Sequence, residues 1–201
     1  SILANGLMHE RLRLVSRGQC VGEYFDGVNV MALKIAVLLS GSGTTLQNLL
    51  DRSGAGELDL EFVCVISSRP DAYGLERARK HGIPAIPIVR KNYGSAAAFN
   101  TELWGTVRKH GAELVVLAGF MSLLEIPPDF ENRVMNVHPA LIPAFCGHGM
   151  YGHHVHEAVI GYGVKVSGAT VHFANNEYDA GPIILQDTVP VLDDDTPESL
   201  A

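Results

Sequence analysis

Basic residues are scarce in this chain. Lys and Arg number 15 against 22 Asp and Glu, and the net charge of -7 speaks against a nucleic-acid partner, because a phosphate backbone is met by clustered cations. A small anionic substrate stays open, since it needs only a local nest of donors. Cysteines are few as well: Cys20, Cys64 and Cys146 are odd in number, widely spaced and form no Cys-x-x-Cys pair. They read as reduced thiols of a cytoplasmic protein, with Cys64 packed in a strand core. No apolar run approaches the roughly eighteen residues of a membrane span, so no membrane partner is expected. The N-terminus carries Arg11, Arg13 and Arg17 but also Glu10, Glu23 and Asp26, and it lacks the apolar core of a secretion signal. Residues 1–30 read as an N-terminal extension outside the fold, and residues 31–201 as the domain.

Apolar residues make up 47% of the chain and glycines number 21, which fits a compact α/β enzyme. Leu33 to Ser40 is an apolar, branched run that ends in a glycine turn, as a buried parallel strand does. Helical spacing follows in LQNLLDR. Further strands are expected near Glu61 to Ile66, Ile83 to Val89, Glu113 to Ala118 and Arg133 to Val137, with helices over Ala72 to His81 and Ser95 to Lys109. Pro84 and Pro87 push the third strand towards an edge. The alternation of β and α with short connections predicts a doubly wound, mostly parallel, Rossmann-like sheet. A short helix from Gly152 to Ile160 precedes two alternating runs, Val164 to Phe173 and Pro182 to Val191, which predict an antiparallel C-terminal hairpin. Thr196-Pro197-Glu198 reads as a capped helix start. The chain stops within a turn of it, so the C-terminal helix is expected to be truncated in this sequence.

The chemistry centres on Asn136-Val137-His138-Pro139. In an extended segment Asn136 and His138 project to the same side, and Pro139 and Pro143 forbid a regular helix directly after them. An amide donor and an imidazole at a strand end suit a carbonyl under attack, where an oxyanion needs donors. No serine or cysteine stands in a nucleophile-elbow pattern, so the substrate's own nucleophile is expected to attack. Asp179 lies in a polar loop, Asn175 to Pro182. It is either turn chemistry, as Asp-Ala-Gly-Pro allows, or a carboxylate that raises the histidine pKa by its charge and keeps an imidazolium available. Gly41-Ser42-Gly43-Thr44-Thr45 after the first strand is either a tight βα turn or an anion-binding helix start; it is not a Walker A loop. His148, His153, His154 and His156, with Glu157, crowd the loop beyond Pro143 without a recognised ligand spacing, so no metal is expected. Gly147, Gly149 and Gly152 suggest that this loop moves over the site.

Five stretches in this order, GSGTTLQNLL, LAGFM, NVHPALIPAF, GATVHF and YDAGPIILQ, resemble the phosphoribosylglycinamide formyltransferases, the folate-dependent transformylases of purine synthesis. The resemblance runs from about Met31 to the end. It implies the formyltransferase fold and transfer of a formyl group from 10-formyltetrahydrofolate, as co-substrate, to the amine of glycinamide ribonucleotide, without a metal. It implies catalytic roles for Asn136, His138 and Asp179, and phosphate binding at Gly43, Thr44 and Thr45. Folate contacts are implied at Met121, Ser122, Leu123, Leu124 and Asn136, with the loop from Ala174 to Asp179 bordering the same pocket. Small-molecule partners, a cytoplasmic location and a monomer or homodimer are expected accordingly. Where the family commonly places an arginine near the start of a helix, this chain has Ala96. The alternative is 10-formyltetrahydrofolate hydrolase, whose members carry a histidine where Pro139 stands and a further N-terminal domain. A tRNA-directed formyltransferase would want a basic C-terminal domain, and a mere binding module has no use for the trio.

Overall fold

The structure is a computed structural model that describes residues 32–201. The extension expected over residues 1–30, with Cys20, lies outside the described residues. The described chain forms two compact units, residues 32–125 and Ile126–Ala201.

The first unit alternates strand and helix: β1 (Leu33–Leu39), α1 (Thr44–Gly54), β2 (Leu60–Ser67), α2 (Tyr73–Lys80), β3 (Ala85–Pro87), α3 (Ala96–Lys109) and β4 (Leu114–Leu117). Its strands run in the order β3-β2-β1-β4, and every pairing is parallel. Ile35 to Leu39 are fully buried, which is why β1 reads as a continuous apolar run rather than an alternating one. Each such Leu or Ile contributes roughly 1.5–3 kcal/mol by leaving water. Helix α1 buries Leu46, Leu49 and Leu50, spaced at three and four residues, against the sheet. Helix α3 starts where Ser95 accepts the Ala98 N–H at 3.1 Å, a cap worth about 1 kcal/mol. Strand β3, bounded by its prolines, sits at the edge of the described strands and pairs with β2. The chain winds outward from β1 to β3 and then returns to β4 on the other side of β1. With right-handed crossovers that reversal is the doubly wound pattern, and it puts a switch point at the C-terminal ends of β1 and β4.

The second unit contains β5 (Val134–His138), α4 (His153–Tyr162), β6 (Val166–Phe173), β7 (Ile183–Pro190) and the helical turn α5 (Pro197–Leu200). Here the pairings are antiparallel, so the seven strands are mostly parallel with antiparallel C-terminal strands, as the sequence predicts. The register sets Asn136 opposite His172 and His138 opposite Thr170. Thr170 is fully buried and its hydroxyl anchors the segment after His138: it donates to the Ala140 carbonyl at 2.7 Å and accepts the Ile142 N–H at 3.1 Å. Gln186 from β7 reinforces this by donating to the Ile142 carbonyl at 2.9 Å. Helix α5 begins with the capping box of Thr196 and Ser199.

Candidate active site

His138 is the last residue of β5 and only 3% exposed. Its Nε2 lies 2.7 Å from the Phe145 carbonyl, which can only accept, so the ring proton sits on Nε2. On the other edge, Nδ1 faces Asp179 Oδ2 at 3.5 Å. Asn136 completes the group: its amide nitrogen is 3.4 Å from Asp179 Oδ1 and 3.1 Å from His172 Nε2. The three residues singled out from sequence therefore meet within one unit.

Asp179 is held from several sides. It accepts the Gly147 N–H at 3.0 Å, and His172 Nε2 lies 3.6 Å from its Oδ1. Its backbone adopts φ 51°, a left-handed conformation that Asp tolerates better than most residues. One residue thus serves the turn and also places a carboxylate beside His138. Gly181 makes the turn possible, because a Cβ there would lie 1.7 Å from the Phe173 carbonyl oxygen. Burial alone would raise the Asp179 pKa, but the His172 side chain, the Gly147 amide and the charge of His138 outweigh it and hold the carboxyl below its ordinary range.

The electrostatics of His138 correct one expectation. Asp179 does push the histidine pKa upward, as does the Phe145 carbonyl, but burial pushes it down harder and His172 adds to that. The net shift is downward. His138 rests as a neutral imidazole carrying its proton on Nε2, rather than as a standing imidazolium.

His172 and Phe145 were not identified from sequence, and Gly147 was read only as part of a loop that moves over the site. His172 had a signal, because it alternates with Thr170 on one face of β6, but only the register reveals that it faces Asn136. The other two act through backbone groups, which residue type does not disclose.

The glycine turn is an unblocked helix start. Gly43 is the N-cap of α1 at φ 71°, no side chain caps the helix, and among the described residues the N–H groups of Thr44 and Thr45 have no partner. Arg77 braces the turn from α2: Nε donates to the Ser42 carbonyl at 2.9 Å and Nη1 to Gln47 Oε1 at 2.8 Å. Between Met121 and Leu124 the chain has no regular structure; Met121 and Leu123 are about half exposed, Ser122 is half-buried and Leu124 is buried. Ala96 is exposed at the first position of α3. Of the loop histidines, His153 and His154 are exposed and pair with Glu157, and His153 also reaches Glu198. His156 is buried and its pKa is lowered, chiefly by burial. Among the described residues, no three His, Cys, Asp or Glu side chains are grouped to hold a metal. Nor is any described helix long and apolar enough to cross a membrane.

The formyl transferase family pattern matches residues 33–201. A chloroplastic phosphoribosylglycinamide formyltransferase of Arabidopsis thaliana is 40% identical over 84% of this chain and 59% of its own length. The phosphoribosylglycinamide formyltransferase of Haemophilus influenzae is 37% identical over 83% of this chain and 77% of its own. Among solved structures, the glycinamide ribonucleotide transformylase 1 of Symbiobacterium toebii superposes with a TM-score of 0.79 at 44% identity, covering 89% of this chain and 82% of that one. The chain spans little more than half the length of the plant relatives it matches. The hydrolase alternative gains no support from these likenesses. Pattern, sequence and architecture agree: the chain belongs to the formyl transferase family and, within it, to the phosphoribosylglycinamide formyltransferases.

Proposed function

We propose that this chain transfers the formyl group of 10-formyltetrahydrofolate to the amine of 5'-phosphoribosylglycinamide, a step of purine synthesis, in the cytoplasm and as a monomer or homodimer. The observation that carries the proposal is the meeting of a buried neutral imidazole, a primary amide and an ionised carboxylate at one strand end. The amine nitrogen attacks the formyl carbon and a tetrahedral oxyanion forms. Asn136 Nδ2 and His138 Nε2–H are the donors assigned to that oxyanion. For His138 to serve, its proton must leave the Phe145 carbonyl, so the loop around Gly147 shifts as substrates bind. The attacking nitrogen then loses a proton, the bond from carbon to the folate nitrogen breaks, and that nitrogen gains a proton. A water carries this proton between the two nitrogens, while Asp179 faces His138 Nδ1 and holds the ring with its Nε2–H towards the oxyanion. His172 keeps Asp179 and Asn136 in place. Thr44 and Thr45 bind the substrate phosphate through their free amides, with Gly43 shaping the turn. Met121 to Leu124 hold the folate, the exposed Met121 and Leu123 side chains against its ring and the backbone towards its polar edge.

The test is loss of formyl from the folate, measured with and without glycinamide ribonucleotide. Loss that depends on the amine is expected. Equal loss in its absence would make the chain a hydrolase, and no loss in either case would make it a binder.

A further inference from the structure

Residues 121–125 follow β4 as irregular chain, yet both ends are fastened by buried side chains. At the near end the Met121 N–H donates to Ser40 Oγ at 2.9 Å, and Ser40, just beyond β1, is 4% exposed. Behind it the Ser68 hydroxyl lies 2.5 Å from the same oxygen, so Ser40 is itself held. At the far end Asn100, a buried amide in α3, accepts the Glu125 N–H at 3.0 Å and donates to the Ala96 carbonyl at 3.0 Å. Trp104 Nε1 donates to the Glu125 carbonyl at 2.8 Å. Between these ends no backbone N–H or carbonyl of Ser122, Leu123 or Leu124 has a partner among the described residues. The stretch is ordered by its ends and unpaired in its middle.

A buried Asn in a helix and a buried Ser at a strand end are otherwise poor choices for a core, because each must find partners for its polar atoms. Here each gives one of its hydrogen bonds to the same short segment. Ordering free chain costs conformational entropy, and a segment ordered beforehand spares its ligand that cost.

We infer that Ser40 and Asn100 are positioning residues for the formyl-donor segment. They fix its ends so that the unpaired peptide groups of Ser122 to Leu124 meet the hydrogen-bonding edge of a flat heteroaromatic ring in a preformed arrangement. The inference rests on the reading of Met121 to Leu124 as the folate-contacting segment. Its signature is a split between the two substrates, because the fastened segment serves the donor and not the amine.

The experiment is steady-state kinetics of Ser40→Ala and Asn100→Ala, with formyl donor and amine varied independently, and deuterium exchange followed over residues 119–126. Each variant is expected to raise the donor KM about tenfold while kcat and the amine KM stay within about twofold, the size expected for one lost hydrogen bond that leaves a buried partner unpaired. Exchange over the segment accelerates in both. An active wild type whose donor KM is unmoved in both folded variants overturns the inference. So does a parallel drift of kcat and both KM values with the folded fraction, which marks a merely structural role. A wild type without any formyl transfer instead overturns the functional reading.

Discussion

At the scale of single residues, the downward shift of the His138 pKa decides how the site should titrate. The neutral ring is the resting form, so kcat/KM is expected to be level above neutral pH and to fall below about 6.5, the ordinary histidine value. A pH–rate profile whose acid limb is centred above 7 would contradict that. Asp179 raises the His138 pKa, so Asp179→Asn should move the acid limb of the residual activity to still lower pH. His138→Ala and Asp179→Asn should each lower kcat by about 10²–10³ while circular dichroism stays that of the wild type. Asn136 and His138 were legible in the sequence because two polar residues at i and i+2 of a strand share a face and prolines close the strand. Asp179 was only half legible, since an Asp before Ala-Gly is equally good turn chemistry. The sign of the histidine shift was not legible at all: it depends on how deeply His138 is buried, and burial comes from the packing of β5 and β6.

At the scale of elements, the start of α1 depends on α2. Arg77 ties the Ser42 carbonyl and the Gln47 amide together, so it shapes the turn that is assigned to the phosphate. Arg77→Ala is expected to raise the KM for the amine substrate about tenfold through lost positioning, leaving the donor KM unchanged. Equal rises in both KM values would show that Arg77 only stabilises the fold. Element positions were read well from periodicity because β1, β2 and β4 are dominated by apolar residues and the helices show spacings of three and four. The ends shifted by at most two residues, because hydrogen bonds along the backbone rather than side chains define the limit. The edge position of β3 followed from its prolines. What periodicity could not supply was register, and with it the pairing of Asn136 with His172.

At the scale of the whole molecule, the buried histidines set an acid limit on stability. His138 and His156 both have lowered pKa values in the folded chain, so below about pH 6.5 the unfolded chain binds protons that the folded one refuses. Their contribution is complete above that value and is lost as pH falls towards the folded values. Asp179, also lowered, adds a second loss only as pH falls below about 4. Urea midpoints should therefore drop between pH 7 and pH 5 and drop again in stronger acid; a midpoint that is flat down to pH 5 would refute the first part. The thiol of Cys64, pushed up to about 12 by burial, takes no part in this range.

The close contact under the glycine turn bears on how freely this motif could travel. A Cβ on Gly43 would lie 2.7 Å from the Gly74 Cα, and a Cβ on Gly74 would lie 2.4 Å from a Leu39 methyl. Gly74→Ala is accordingly expected to cost about 1–3 kcal/mol in urea unfolding, through overpacking beneath the turn. The five-residue signature Gly41 to Thr45 is therefore not a self-contained cassette. Grafted alone onto another sheet it would lose its floor. A functional transplant has to bring the YGLER stretch of the neighbouring helix with it, so recombination that separates the two segments should yield chimaeras in which the turn loses its shape.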